Sequence, residues 1–491
     1  MGPLTGIKIV EIVGIGPAPH CCMILADMGA EIIRIDRPGG NKVGGTDETA
    51  VLNRGRKSIA LDLKTSEGVA ATRRLIQKAD ALVEGFRPGV MERLGLGPEV
   101  CLKDNEKLVF GRMTGWGQDG PLSKVAGHDI NYIALAGALG AIGDKERGPV
   151  PPLNLIGDFG GGGMMLAFGI VCGILETKNS GKGQIIDASM LEGSALLMAG
   201  VLMAKNSGSW SYPRGENWHD GGAAFYGTYQ CADKEWICIG SLEPQFYNLL
   251  REILELRDPI WDKQWDHDSW PEQKRILSDK FKKKTRSEWT SIMGELDICF
   301  APVLNLDELM DHPHNKARSV FIENNGNIQP SPAPRFSRTP GQIQHPAVKP
   351  GENNDEVLEK WGFTKLEIKN LKKMAEDAEE RLILLVGQYG ILHLCRNPTA
   401  LEAVNTAALR GVVIQIITHL DSRTIRFFNE LHESIEVRHS DELESLGFVR
   451  DMSEVVQYLN IEDNPVGRGK DDAALIIESQ AFAESLSLIH I

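Results

Sequence analysis

The chain has 491 residues, 42% hydrophobic and 24% charged, a composition that suits two or three globular domains and excludes long disordered stretches. A formal net charge of -14 argues against a nucleic-acid partner, which needs a basic face, but leaves room for a local basic pocket that takes a phosphorylated ligand. The 8 cysteines (Cys21, Cys22, Cys101, Cys172, Cys231, Cys238, Cys299, Cys395) include no CxxC pair, so buried thiols in a reducing compartment are expected rather than a disulfide or zinc scaffold.

The opening MGPLTGIKIVEIVGIG has no charged start, long apolar run or small-residue cleavage site, so no secretory signal is expected. Ile7–Val13 reads as a strand ending in Gly14-Ile15-Gly16-Pro17, followed by a helix over 19–28 and a strand over 31–36. Strands over 58–63, 81–84 and 108–113, with a helix over 67–78, continue the alternation. This is an α/β pattern with a parallel sheet covered on both faces. Gly14-Ile15-Gly16 lacks the third glycine of a dinucleotide fingerprint, since position 19 is proline, and no nucleotide site of that kind is expected.

From Asp158 the pattern is helical, with a turn at 181–183, and 185–202 reads as a strand and another helix. The apolar stretch Met164–Leu175 carries glycines and is too short for a bilayer, so no membrane partner is expected and the cytoplasm is the default location. Residues 221–240 suggest a small antiparallel sheet, 276–296 one amphipathic helix, 330–350 an extended proline-rich segment, and 356–374 one or two short helices. After the charged stretch 376–380 the character shifts. Strands over 382–386, 413–417 and 435–437, with helices over 399–409 and 422–431, read as a separate βαβαβ module.

Three segments stand out for chemistry: AGHDINY (126–132), PPLNLIGDFGGGG (151–163) and GSLEPQFY (240–247). Taken singly, His128 is more readily structural than catalytic, and Asp158 more readily a helix N-cap before the glycines. The glycines 160–163 suit either close approach of a ligand or a tight helix crossing. Arg37, Arg54, Arg56, Lys57, Arg87 and Arg93 form a basic set suited to phosphates, or a solvated surface. Met164, Met165, Met190, Met198 and Met203 read as helix core or as a pliable wall for a varied ligand.

Residues from about 3 to 374 resemble the α-methylacyl-CoA racemases of the family III CoA-transferase superfamily. The resemblance rests on GPLTGIKIVEIVGIGPAPH, ADMGAEIIRIDRPGG, VLNRGRKSIALDLK, VEGFRPGVMERLGLGPE, GWGQDGPLSKVAGHDINY, PPLNLIGDFGGGG, SGKGQIIDASMLEGSA, RGENWHDGGAAFYGTYQCAD and EPQFY. It implies the family III fold: a large Rossmann-like domain, a small α+β domain and an interlocked homodimer, with the active site between the large domain of one subunit and the small domain of the other. The corresponding division is 1–200 and the return segment 331–376 for the large domain, 201–330 for the small one, and 377–491 for an accessory module.

The resemblance also implies roles. His128 faces one side of the substrate α-carbon and Asp158 the other. Glu243 orients the histidine and Asn154 holds the aspartate. Arg37, the run Ala60-Leu61-Asp62-Leu63 and Arg93 line the CoA site, with Arg87 in the same basic set, and Gly127, Asp129 and Tyr132 belong to the thioester-binding motif. The implied reaction is interconversion of (R)- and (S)-2-methylacyl-CoA by proton transfer through an enolate, with CoA as part of the substrate and neither cofactor nor metal. Such chemistry asks for a neutral base on one face and a protonated acid on the other, each worth roughly two to four orders of magnitude. A backbone N–H such as that of Asp129 would stabilise the enolate oxygen, and burial would raise Asp158 toward protonation. Two alternatives stay open: CoA transfer with Asp158 as nucleophile, and a non-catalytic regulator responsive to CoA esters.

The C-terminal residues, from NPTALEAVNTAALRGVVIQII onward, resemble the phospholipase-D-like sensor half of prokaryotic transcription regulators. His419-Leu420-Asp421 and His439-Ser440-Asp441 depart from the His-x-Lys pattern of the hydrolases, so no phosphodiesterase activity is expected. A ligand-binding or protein-interaction accessory, an inert appendage and a dimer contact all remain open.

Overall fold

The computed structural model describes residues 2–38, 50–210, 213–324 and 326–361, and beyond them 381–386, 405, 413–418, 431, 435–439, 446–450, 454–459 and 473–478. The chain divides into two compact units, Met1–Ala375 and Glu376–Ile491.

In the first unit the elements run β1 (Lys8–Ile12), α1 (Pro17–Asp27), β2 (Glu31–Asp36), β3 (Arg56–Ala60), α2 (Ser66–Ile76), β4 (Ala81–Glu84), α3 (Pro98–Asp104), β5 (Val109–Thr114), α4 (Asp129–Leu135), α5 (Leu155–Ser180), β6 (Gln184–Ser189) and α6 (Met190–Leu197). The six strands are parallel, in the order β3-β2-β1-β4-β5-β6. Strand side chains alternate between faces. Val10, Ile33, Ile59, Leu82 and Phe110 pack with Leu75 and Ile76 of α2 and with Trp361. Ile9, Ile32, Ala81, Val83 and Val109 pack with Cys21 and Leu25 of α1 and with Leu166 and Ile170 of α5. Both faces are therefore covered, as the apolar strand runs lead one to expect. The strand order reverses between β1 and β4, and in open parallel sheets a crevice forms at that point beyond the strands' carboxyl ends.

The α5 helix starts with a π-wound stretch, Leu155–Met164, in which the Phe159 amide donates to the Asn154 carbonyl at 3.3 Å. Its glycines allow a close crossing. A Cβ on Gly193 of α6 would stand 1.8 Å from the Gly161 carbonyl oxygen, and one on Gly163 would stand 2.5 Å from Nδ1 of His20 on α1. Over its full 26 residues α5 is long and apolar enough to cross a membrane, with 39% of its most apolar window buried, so the sequence-based estimate of a stretch too short to do so was wrong. Met164, Phe168, Val171 and Leu175 of α5, Leu196 and Leu197 of α6 and Leu135 of α4 are exposed apolar side chains.

A small antiparallel sheet, β7 (Tyr226–Gln230), β8 (Trp236–Gly240) and β9 (Phe300–Pro302), has β8 at its centre. Its core joins Phe225, Tyr229 and Ile237 to Leu250 of α7 (Pro244–Ile253), Leu277 and Phe281 of α8 (Trp270–Phe281), and Trp289 and Met293 of α9 (Arg286–Met293). The single helix expected over 276–296 is therefore two. Thr285 accepts from the Glu288 amide at 3.2 Å while Glu288 accepts from the Thr285 amide at 2.7 Å, a capping box that starts a new helix.

In the second unit β10 (Arg381–Val386), β11 (Val413–Thr418) and β12 (Glu436–His439) are parallel neighbours, as read from the sequence. The sheet also holds β13 (Leu446–Arg450), β14 (Glu454–Leu459) and β15 (Ala473–Glu478) in the order β12-β11-β10-β13-β14-β15, with β13–β15 antiparallel. The module is thus a six-stranded mixed sheet, larger than βαβαβ. Short runs such as VVQYL fit strand or helix equally well when read locally. The expected helices over 399–409 and 422–431, apart from Asn405 and Leu431, and the His419 segment lie outside the described residues.

Candidate active site

A cavity of about 510 Å³ opens beyond the carboxyl ends of β1, β4 and β5, where the strand order reverses. Ile15, Gly16 and Pro17 line it after β1, Gly85 to Pro88 after β4, and Thr114, Gly115 and Trp116 at the end of β5. Of the sequence-predicted residues, Arg87, Gly127, His128, Tyr132, Asn154 and Asp158 line this one space.

His128 is the N-cap residue of α4, and its backbone N–H donates to Asn131 Oδ1 at 3.0 Å. The ring is exposed and borders the cavity. Behind it, the Tyr132 hydroxyl donates to the Gly127 carbonyl, and the Tyr132 ring meets Trp116 edge-on at 4.7 Å. A Cβ on Gly127 would stand 2.8 Å from Tyr132 and 3.0 Å from Trp116, so only glycine fits before His128.

Asp158 stands half-buried in the first turn of α5. Asn154 Nδ2 donates to its Oδ2 at 3.0 Å. Burial raises the Asp158 carboxyl above the usual aspartate value and the Asp129 charge adds to that, while the Asn154 hydrogen bond and His128 oppose it. Asp129 turns its carboxylate away from the cavity and takes the Asp158 backbone N–H on Oδ1 at 2.7 Å. Burial, with the Asp158 charge second, also raises the Tyr132 phenol.

Other predicted residues lie elsewhere. Arg37 and Arg93 are exposed but do not line the cavity. Ala60 donates its amide to Asn354 at 2.8 Å, Leu61 is in the core, Leu63 packs against it, and Asp62 caps the Lys64 amide at 2.9 Å. The 60–63 run therefore does not border this space, whereas Leu52 does. Arg54 and Arg56 are not available to phosphates. Arg54 forks onto Asp27 at 2.6 Å, and Arg56, fully buried, pairs with Glu11 at 2.9 Å. Lys57 pairs with Glu356.

None of the glycines 160–163 lines the cavity, and their role is the helix crossing. Of the five methionines singled out, only Met190 lines it, and Met164 and Met203 are exposed. The expectation of buried thiols holds for Cys21, Cys22, Cys101 and Cys231 but not for Cys172 and Cys299, which are exposed.

Glu243 is exposed at the N-cap of α7, and within one chain it does not line the His128 cavity. It stands by Cys299, whose thiol is raised by burial first and by the Glu243 charge second. A second cavity of about 570 Å³ lies there, lined by Tyr226, Cys238, Cys299 and Phe300 among others.

Sequence reasoning missed Ile15, Pro17, Leu52, Phe86, Met113, Trp116 and Phe159. The usable signal was positional, since most of these follow the last residue of a parallel strand. Phe86 is held by its amide, which donates at 2.7 Å to buried Glu84, itself paired with Arg112 at 2.9 Å. Burial raises the Glu84 carboxyl despite these partners. Among the described residues, no group of three or more His, Cys, Asp or Glu is gathered as a metal ion would need.

Comparison with known proteins places this geometry in a family. The chain is 47% identical over 372 residues to the alpha-methylacyl-CoA racemase of Mus musculus, covering 75% of this chain and 96% of the relative. It is 44% identical over 373 residues to the Homo sapiens protein of the same name, with the same coverage, 75% and 96%. Succinyl-CoA:glutarate CoA-transferase of Homo sapiens is 27% identical over 377 residues, covering 72% of this chain and 85% of the relative. The crystal structure of a CAIB/BAIF family protein from Brucella suis superposes with a TM-score of 0.65 at 23% identity, covering 73% of this chain and 99% of that one. Residues 4–355 match the family model CoA-transferase family III, and with that match and those relatives the chain belongs to this family.

Proposed function

We propose that the protein is an α-methylacyl-CoA racemase, which inverts the methyl-bearing α-carbon of 2-methylacyl-CoA thioesters by moving its proton between His128 and Asp158. One observation carries the reading. A carboxyl raised by burial and held by Asn154 shares a single cavity with a histidine from a different helix.

In one direction neutral His128 takes the α-proton and neutral Asp158 delivers its own to the opposite face of the planar enolate. In the other direction ionised Asp158 is the base and protonated His128 the acid. One proton leaves and one arrives, carbon is neither oxidised nor reduced, and CoA stays on its acyl group, so the chemistry calls on no redox cofactor. The Asp129 backbone N–H, in the first turn of α4, is our choice of donor to the enolate oxygen, a role worth roughly 3 kcal/mol. Arg87 at the cavity, with the exposed Arg37 and Arg93, would meet the CoA phosphates.

A second reading, CoA transfer, would use ionised Asp158 as nucleophile toward the thioester carbonyl. Burial works against it by raising that carboxyl, and it leaves His128 idle.

We also propose a homodimer. A second copy would cover the exposed Leu135, Phe168, Leu175 and Leu196 and bring the partner's small domain, with its glutamate at position 243, to the His128 cavity. The test of function is to incubate each 2-methylacyl-CoA epimer with the protein and separate the products by chiral chromatography. Appearance of the other epimer from either side supports the reading, and acyl-CoA of an added carboxylate in its place would support transfer.

A further inference from the structure

Asp129 is next to His128 in sequence, yet its side chain does not face the cavity. It is buried, at 8% exposure, and reaches into the first turn of α5. There the winding leaves the amides before Phe159 without a carbonyl partner inside the helix, and Asp158 supplies the last of them. Asn154, the helix's own N-cap residue, does not cap these amides with its side chain and instead donates to the Asp158 carboxylate. The cap comes from another element. Asp129 Oδ1 accepts the Asp158 N–H at 2.7 Å, a short bond to a charged acceptor.

The residue before Asp158 is fitted to this contact. A Cβ on Gly157 would stand 2.3 Å from Asp129 Oδ1 and 2.8 Å from its Cγ. Any side chain there would evict the carboxylate. On the opposite side of Asp158, Gly16 has a φ of 66°, and a Cβ on it would stand 3.3 Å from Asp158 Oδ2. Asp158 is thus held through its backbone by the residue that follows His128, through its carboxylate by Asn154, and by close backbone approach from Gly16.

We infer that Asp129 is a positioning residue that latches the start of the His128 helix to the Asp158 backbone and so sets the spacing of the two proton carriers. The inference rests on the two-base reading above. A planar enolate between two groups tolerates little change in their separation, and a misplacement of about 1 Å costs on the order of a hundredfold. The Gly157 requirement makes the latch a three-part device in which carboxylate, missing side chain and amide depend on one another.

The experiment uses the full chain and four variants, Asp129→Ala, Asp129→Asn, Gly157→Ala and the Asp129→Ala/Gly157→Ala double, with (2R)- and (2S)-2-methyldecanoyl-CoA as substrates. Amide hydrogen exchange of the 155–160 segment is followed in parallel. The expected result is a fall in kcat of about a hundredfold for Asp129→Ala in both directions, with KM within about twofold. Gly157→Ala should match it, and the double should be no worse than either single. Asp129→Asn should recover to within about tenfold of the parent, because its Oδ1 still accepts the amide. Asp158 amide protection should drop in Asp129→Ala and persist in Asp129→Asn.

Unchanged protection in Asp129→Ala overturns the latch, and so does additivity of the two single losses. A KM effect with kcat intact would make Asp129 a substrate contact instead. If the parent exchanges no α-proton while protection still falls in Asp129→Ala, the latch stands and the two-base reading fails.

Discussion

Asn154 and Asp158 stand one turn apart in the π-wound start of α5, and the Asn154 amide donates to Asp158 Oδ2 at 3.0 Å. Winding to i→i+5 carries residues four apart close to one face, which brings the donor within reach of the carboxylate. The bond favours the charged form, against burial and the Asp129 charge, which favour the neutral one. A group that must serve as acid in one direction and base in the other needs such opposed influences.

Replacing Asn154 by Ala removes the influence that lowers the Asp158 carboxyl, so its pKa should move further up. The limb of the pH–rate profile in which ionised Asp158 is the base should shift to higher pH. The opposite direction, which needs neutral Asp158, should persist to higher pH than in the parent. Initial rates from each epimer across pH check this, and a downward shift would contradict it.

Asp158 also links stability to pH. Its folded-state pKa is raised, so its contribution is full below the unfolded aspartate value of about 3.9 and is lost as pH rises through the folded value. Asp158→Asn has no proton to lose. The variant should match the parent's melting temperature in acid and exceed it at neutral pH. Melting curves at both pH values check the sign, and a gap that is larger in acid would refute it.

The crossing of α5 and α6 depends on contact between backbones. Gly193→Ala places a Cβ 1.8 Å from the Gly161 carbonyl oxygen. Overpacking of this kind costs about 1–3 kcal/mol and should displace the Asp158 turn as well. Chemical denaturation should show the loss of stability and steady-state assays a lower kcat.

If the partner subunit completes each site with its glutamate at position 243, complementation follows. His128→Ala and Glu243→Gln chains, each nearly inactive alone, should regain about a quarter of the parent activity when mixed after dissociation, because mixed dimers carry one intact site each. No recovery in verified mixed dimers would place Glu243 in the same site as the His128 of its own chain, or in none. Phe168→Glu with Leu175→Glu, on the exposed α5 face, should yield a monomer by light scattering.

The strands of the first unit were readable because β-branched runs such as EIIRID lie between glycine and proline turns, and their two-sided burial follows from continuous apolarity. Their order was not readable, since β1 pairs with β2 and β4 through contacts that no local pattern encodes. In the site, the segments GHDINY and NLIGD pointed to residues that the fold does bring to one cavity. The basic set misled in part. Arg54 and Arg56 look like phosphate ligands in one dimension, and the carboxylates that take them, Asp27 and Glu11, lie 27 and 45 positions away. The apolar walls, Ile15, Phe86 and Trp116, escaped notice because their place is set by where strands end rather than by residue type.

The most direct test of the central claim is ¹H NMR of the protein with (S)-2-methylacyl-CoA in D₂O, run beside His128→Ala and Asp158→Ala. Two-base racemisation predicts that the α-proton signal disappears as deuterium enters and both epimers form, with both variants slowed by at least about a hundredfold. Retention of the α-proton, with CoA passing to an added carboxylate, would contradict it.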